Sequence, residues 1–251
     1  MIEPWAYPAL TATAVLTGFI DAIAGGGGLI MMPALLFAGL SPIHALATNK
    51  LQSVFGTCVA MVNFGRKGLI DWRSSRWPVV LVFIGAVGGV VLVQAIDASV
   101  LALVVPVLLV FAAGYIILSP RMSDDDAQQR LGEKGYAPVA GAVGFYDGFF
   151  GPGAGTLYTA SLVALRGLGL TRASAHTKLL NFTSNVASVL LFAVGGKMMW
   201  LLGLCMAVGA MLGGWIGSHT AMRFGARLIR PLLVTISLGM TAKLLWDYFA
   251  R

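Results

Sequence analysis

Apolar residues run along this chain in long blocks. Trp77–Ile96, Val100–Leu118, Trp200–Thr220 and Leu228–Phe249 carry little polar interruption, and each is close to the roughly 20 residues a helix needs to cross a hydrocarbon layer of about 30 Å. A membrane barrel would instead show short alternating segments divided by polar turns, and none are present. Further helices are predicted over Trp5–Ala24, 43–64, 99–118, Ala137–Phe150, 172–195 and 227–249. Two apolar segments, Leu29–Ala38 and Leu157–Leu165, are too short to span, since ten helical residues rise only about 15 Å. Each opens on a glycine cluster, which predicts a re-entrant helical hairpin whose glycine tip turns inside the membrane.

The pattern occurs twice. Gly25–Trp72 recurs at a constant offset of 128 residues as Gly153–Trp200. Gly25 and Gly27 map onto Gly153 and Gly155, Ala45 and Lys50 onto Ala173 and Lys178, Phe64 and Gly68 onto Phe192 and Gly196, and Gly85 and Gly89 onto Gly213 and Gly217. Asp21 and Asp147 correspond at an offset of 126, after a two-residue gap. Internal duplication with interrupted apolar segments at matching positions is the sequence signature of a transporter fold. The predicted organisation is an all-α polytopic membrane protein of two repeats, 1–118 and 136–251, joined by a polar linker over 119–135. Each repeat is a re-entrant hairpin followed by three transmembrane helices.

Three crossings per repeat require the second copy to be inverted, and loop charge agrees. The loops at 65–76, 119–135, 166–172 and 221–230 fall on one side and hold 12 of the 17 basic residues; the other side receives only Lys197 and Arg251. By the positive-inside rule the linker is cytoplasmic and both termini face out. Gly85/Gly89 and Gly209/Gly213/Gly217 form small-residue stripes suited to close helix packing in lipid.

Composition narrows the class further. With 58% hydrophobic and 11% charged residues, the chain falls far from the roughly 25% charge of a soluble globule. The net charge of +7 belongs to the loops and does not point to nucleic acid. Met1–Trp5 has no basic n-region, so no cleaved signal peptide is expected. Cys58 and Cys205 stand alone in apolar surroundings and read as small buried hydrophobes. No cofactor or metal is expected.

The candidate chemistry centres on Lys50. A charge deep in a bilayer costs at least about 2.5–3.5 kcal/mol, and the bland alternative, snorkelling to the interface, would have to hold for Lys178 as well. Asn49, Gln52, Ser53 and Gly56 lie on one helical face with Lys50; Thr177, Asn181, Ser184, Asn185 and Ser188 accompany Lys178. Such faces must look into a bundle or wet cavity, because lipid cannot satisfy them; hydrogen bonds between helices are the alternative for Ser188 and Asn63. Gly25, Gly26, Gly27 and Gly28, and Gly153, Ala154 and Gly155, lack the βα context of a phosphate loop. As openings of half-helices they offer bare N–H groups and a positive dipole end to an anion. Asp21 and Asp147 could pair with the lysines, carry a coupling proton or bond the free amides of the hairpins. His44 is placed at the interface and His176 along the path.

The segments Gly18-Phe-Ile-Asp21, Ala24–Gly28 with Pro33, Ala45-Leu-Ala-Thr-Asn-Lys50, Gly68-Leu-Ile-Asp-Trp72, Gly144-Phe-Tyr-Asp147 and Gly151-Pro-Gly-Ala-Gly155 together resemble the sulfite exporter TauE/SafE family over nearly the whole chain. The second half departs at Met198-Met199-Trp200, which lacks the acidic residue found at Asp71. The resemblance implies a bacterial inner-membrane transporter of small, often sulfur-containing anions such as sulfite, sulfoacetate or thiosulfate. Alternating access is the leading expectation, with a homodimer as a possible assembly. A passive anion channel is the alternative, and a membrane enzyme or Schiff-base protein using one buried lysine is a third reading that the duplicated lysine opposes.

Overall fold

The computed structural model describes residues 3–97, 99–101, 104, 107 and 125–225. The helix expected over 99–118 lies mainly outside the described residues, and that over 227–249 entirely so, as do residues 119–124 of the linker. Among the described residues there are eight long helices and no strand. These are α1 (Ala6–Ala24), α2 (Gly27–Phe37), α3 (Pro42–Arg66), α4 (Arg76–Ala95), α5 (Glu133–Phe149), α6 (Ala154–Arg166), α7 (Leu170–Val194) and α8 (Trp200–Phe224).

Four of them, α1, α4, α7 and α8, are long and apolar enough to cross a membrane, whereas α2 has only 11 residues. α3 matches α7 and α8 at 25 residues but carries too many polar side chains to qualify on composition. Those side chains point into the bundle, where Thr48, Asn49, Lys50, Gln52 and Thr57 are buried.

Local chemistry sets the helix ends. Gly25, with φ at +79°, closes α1 in the left-handed conformation, and Gly167 at +67° closes α6 in the same way; a side chain is disfavoured there. Pro42 opens α3 directly after the extended Ser41, where its fixed φ suits the first turn. The short helices start earlier than their apolar runs suggest. Gly27 and Gly28 form the first turn of α2, and Ala154 and Gly155 that of α6, so only Gly25 and Gly26 remain between α1 and α2. Similarly α5 begins at Glu133, inside the polar stretch, because an acidic first turn suits the positive helix end and Glu133 accepts a hydrogen bond from the Trp77 N–H at 3.2 Å.

Two helix pairs supply the closest packing. α1 lies along α8 in the same direction, with Thr11, Val15 and Phe19 meeting Gly209, Gly213 and Gly217 in turn. α4 lies along α5 likewise, Val82 meeting Gly144 and Ala86 meeting Gly148. A Cβ on Gly18 would stand 2.7 Å from Ala210 O, and one on Gly144 2.7 Å from Val82 O; both helices therefore approach to a separation that only glycine permits. α3 and α7 run head to tail. Thr48, near the start of α3, accepts the N–H of Met199 beyond the end of α7 at 3.4 Å, while His176, near the start of α7, accepts the N–H of Asp71 beyond the end of α3 at 3.2 Å. Midway, Asn185 donates to Thr57 at 3.4 Å. The outer faces of α4 and α8 stay apolar, with Trp77, Phe83, Ile84, Leu201, Val208 and Trp215 exposed, as a lipid-facing surface requires.

The described end of the linker is fastened to the turn between α6 and α7. Ala127 N–H donates to Gly167 O at 2.8 Å, Leu131 N–H to Leu165 O at 2.8 Å, and Gly169 N–H to Asp126 Oδ1 at 2.7 Å. Arg172 pairs with Asp126 at 2.5 Å, both about half exposed.

Two predictions follow from this packing. Gly89→Ala and Gly217→Ala should each lower stability by about 1–3 kcal/mol through overpacking, whereas Gly88→Ala, whose Cβ would meet only the Phe145 ring at 3.5 Å, should be neutral or slightly stabilising. Thermal unfolding in detergent distinguishes them, and equal losses at Gly88 and Gly89 would contradict the packing. For the linker, the Gly169 N–H and then Arg172 hold the Asp126 carboxyl below its ordinary value. A depressed carboxylate stabilises fully above its unfolded value near 3.9 and loses that contribution as pH falls through the lower folded value. Limited proteolysis at 125–131 should therefore be slow and constant near neutrality and accelerate only in acid, with Asp126→Asn fast throughout.

Candidate functional site

The polar face of α3 brings Lys50, Asn49, Ser53 and Thr57 to the centre of the bundle, and α7 brings Lys178, Asn181 and Asn185 from the opposite direction. Both lysines are enclosed, Lys50 at 2% and Lys178 at 1% exposure. Neither snorkels. Each is answered by an aspartate from the other half of the chain. Lys50 Nζ donates to Asp147 Oδ1 of α5 at 2.5 Å, with both side chains buried. Lys178 Nζ donates to the main-chain carbonyl of Asp21 in α1 and lies 3.4 Å from its Oδ2. Both aspartates thus stand in ion pairs with the lysines.

The glycine turns meet beside these pairs. A Cβ on Gly155 would stand 2.6 Å from Gly25 Cα and 3.0 Å from Asn181 Nδ2. Gly151, at φ +95°, leaves its side-chain space to the Lys50 ammonium, 3.1 Å from where a Cβ would be. The Gly153 and Gly155 amides have no backbone acceptor among the described hydrogen bonds, the free donors expected where a helix begins.

Among the residues predicted from sequence, Gly25, Gly28, Asn49, Lys50, Ser53, Gly153, Gly155, Asn181 and Asn185, with Asp21 and Asp147, line one cavity. It offers about 30 Å³ to the centre of a water molecule, room for about two waters at 10–15 Å³ each. The others lie around it. Gly27 and Gln52 line an adjoining space of about 20 Å³, and Gln52 donates to Asn49 Oδ1 and Ser53 Oγ, both at 3.0 Å. Gly26 caps α2, Ala154 packs with Val82 and Tyr158 in the core, and Thr177 faces Thr159 at 2.9 Å. Lys178 stands behind Asp21, outside the lining.

Thr57 is a lining residue that the sequence reading does not name; it lies seven residues past Lys50 on the same face and corresponds to Asn185 in the repeat, so its signal is available. Gly151, which opens the second glycine cluster, also lines the cavity although the expected binding residues begin at Gly153. His176 borders a separate small cavity with Ser74, Ser75 and Arg166, and binds Ser75 at 3.0 Å. Asp71 organises that loop, its Oδ1 accepting the N–H groups of Arg73 and Ser74 at 3.0 and 3.2 Å. Cys58 and Cys205 are separate, partly buried thiols.

Buried ion pairs beside a small polar cavity in an apolar helical bundle suit a membrane transporter, and comparison with known proteins agrees on that class. The family model described as "Sulfite exporter TauE/SafE" matches residues 10–244. The chain belongs to the TauE/SafE family. It is 44% identical over 248 residues to the probable membrane transporter protein YfcA of Escherichia coli strain K12, covering 98% of this chain and 92% of that one. A probable membrane transporter protein of Haemophilus influenzae is 42% identical over 92% of this chain and 91% of its own. A further one from Sinorhizobium, ORF9, is 41% identical over 95% and 92%. No solved structure matches. As a TauE/SafE member the chain is a membrane transporter and not an enzyme.

The buried pair yields a stability test within this TauE/SafE site. Lys50→Met leaves Asp147 as an uncompensated buried charge and should cost about 3–5 kcal/mol. Combining it with Asp147→Leu should recover much of the loss in chemical or thermal unfolding. A double variant no more stable than the single would show that the two groups do not depend on each other.

Proposed function

We propose that this protein is a secondary transporter that moves a small sulfur-containing anion across the bacterial inner membrane by alternating access, holding it in the cavity between the glycine turns and the two lysines. The observation that carries this reading is the exchange of partners between halves: Lys50 with Asp147 and Lys178 with Asp21. Each half supplies one cation to the other, so the site exists only where both meet.

The same exchange supports an inverted repeat. The bonds Thr48–Met199 and Asp71–His176 correspond at the 128-residue offset, and Thr57 and Asn185, which touch, are each other's equivalents. Gly18 on Ala210 likewise corresponds to Gly144 on Val82. Equivalent helices α3 and α7 run in opposite directions, the arrangement of repeats related by an axis in the membrane plane. With it go the re-entrant glycine hairpins, a cytoplasmic linker and outward termini, in keeping with the loop charges. The small cavity favours a compact oxyanion such as sulfite or thiosulfate over a bulkier sulfonate such as sulfoacetate.

Binding and flux measurements with sulfite, thiosulfate and sulfoacetate, in purified protein and proteoliposomes, test the reading. At least one anion should bind, with saturable flux, and Lys50→Ala should weaken binding at least about tenfold, the loss of a charge-assisted hydrogen bond worth about 1.5–3 kcal/mol, while Lys178→Ala should weaken it by leaving the Asp21 carboxylate uncompensated beside the anion. Undiminished binding in both variants would remove the site assignment, and flux that never saturates would favour the channel.

A further inference from the structure

The two ion pairs correspond in sequence but differ in kind. Lys178 rests chiefly on a main-chain carbonyl, its distance to Asp21 Oδ2 is 3.4 Å, and the Asp21 side chain is 25% exposed. Asp147 is 5% exposed, is closed on Lys50 at 2.5 Å, and its second oxygen, Oδ2, is buried without a hydrogen-bond partner. Asn181 Oδ1 is buried and unpartnered as well. Asp147 and Asn181 both line the cavity.

Two lysines and two carboxylates make the empty site formally neutral. An anion placed there beside an ionised Asp147 would meet carboxylate oxygen, and Lys50 would already be engaged. A proton on Asp147 resolves both conflicts: it turns an acceptor into a donor and frees the Lys50 ammonium to face the anion. We propose that each anion is bound together with one proton, taken up by the Asp147 carboxylate. This rests on the anion-carrier reading above and goes beyond it by fixing the coupling ion, its site and its stoichiometry.

The surroundings of Asp147 are compatible with that role. Lys50 faces it from α3, Asp21 from α1, Tyr158 from α6 and Ser184 from α7, with Tyr146 beside it on α5. Lys178 of α7 is turned to Asp21. α4 packs the backbone of Ala86, and Gly89, against Gly148 next to it and brings no charge there.

Calorimetric titration with thiosulfate, whose own charge is constant across the working range, in buffers of different ionisation enthalpy reads the protons taken up per anion. Wild type should take up one, and its apparent Kd should weaken about tenfold per unit as pH rises through the range where free Asp147 is ionised. Asp147→Asn should bind with no proton uptake and no such pH dependence, while Asp126→Asn, in the linker, should behave as wild type. Binding to wild type without proton uptake would overturn the proposal and leave the carrier reading intact, as would uptake abolished by Asp21→Asn but kept in Asp147→Asn. If neither thiosulfate nor the other two anions bind at any pH, the carrier reading fails and the proposal falls with it. The wild-type proton count stands whether or not the variants fold.

Discussion

A lysine ammonium inside a bilayer-spanning bundle has to be neutralised locally, and Lys50 and Lys178 both find their partner in the opposite half of the chain. That requirement reaches through the rest of the architecture. α1 must bring Asp21 to α7 and α5 must bring Asp147 to α3, so each of these helices packs against the far repeat rather than beside its own α3 or α7. The glycine stripes make that possible. Gly213 and Gly217 let α1 lie against α8, and Gly141, Gly144 and Gly148 let α5 lie against α4, at separations that any larger residue would widen. The ion pairs fix the angular placement, and the glycines allow the approach.

The same constraint explains why the cavity is small and polar. It forms where two helix starts, at Gly27 and Ala154, converge on two ion pairs, and glycine backbone makes up part of its wall. Glycine at 25, 151, 153 and 155 keeps side chains out of the space, and Asn49, Asn181 and Asn185 add amides that can either donate or accept. The site is consequently adaptable in hydrogen bonding but strict in size. Its two halves also differ. The Lys50–Asp147 pair is sealed, and the Lys178–Asp21 pair touches solvent, so a sequence duplication has become a site with two unequal ends.

Much of this could be read in the chain before the structure. Lys50 and Lys178 stood out because charge is costly in apolar helices, and their amide neighbours stood out because helical spacing puts them on one face. The repeat offset located the second set from the first. The pairing of aspartate with lysine was one of three possibilities, and sequence could not choose among them, because nothing in a linear pattern shows which helices cross. The starts of α2, α5 and α6 were misplaced by two to four residues for a simpler reason. Apolar runs mark where a helix enters lipid, whereas its first turn forms wherever backbone geometry allows, including on glycine and on the polar Glu133. Thr57 touches Asn185, its equivalent at the 128-residue offset, so the repeat that marks Asn185 also marks Thr57.

Crystals grown with selenite, a heavier analogue of sulfite, would test the central claim most directly through the anomalous signal of selenium. The account predicts one peak in the cavity, within hydrogen-bonding reach of Lys50 and of the Gly153–Gly155 amides, with Asp147 moved off the lysine. A peak elsewhere in the protein, or a cavity that stays empty at concentrations that saturate binding in solution, would contradict it.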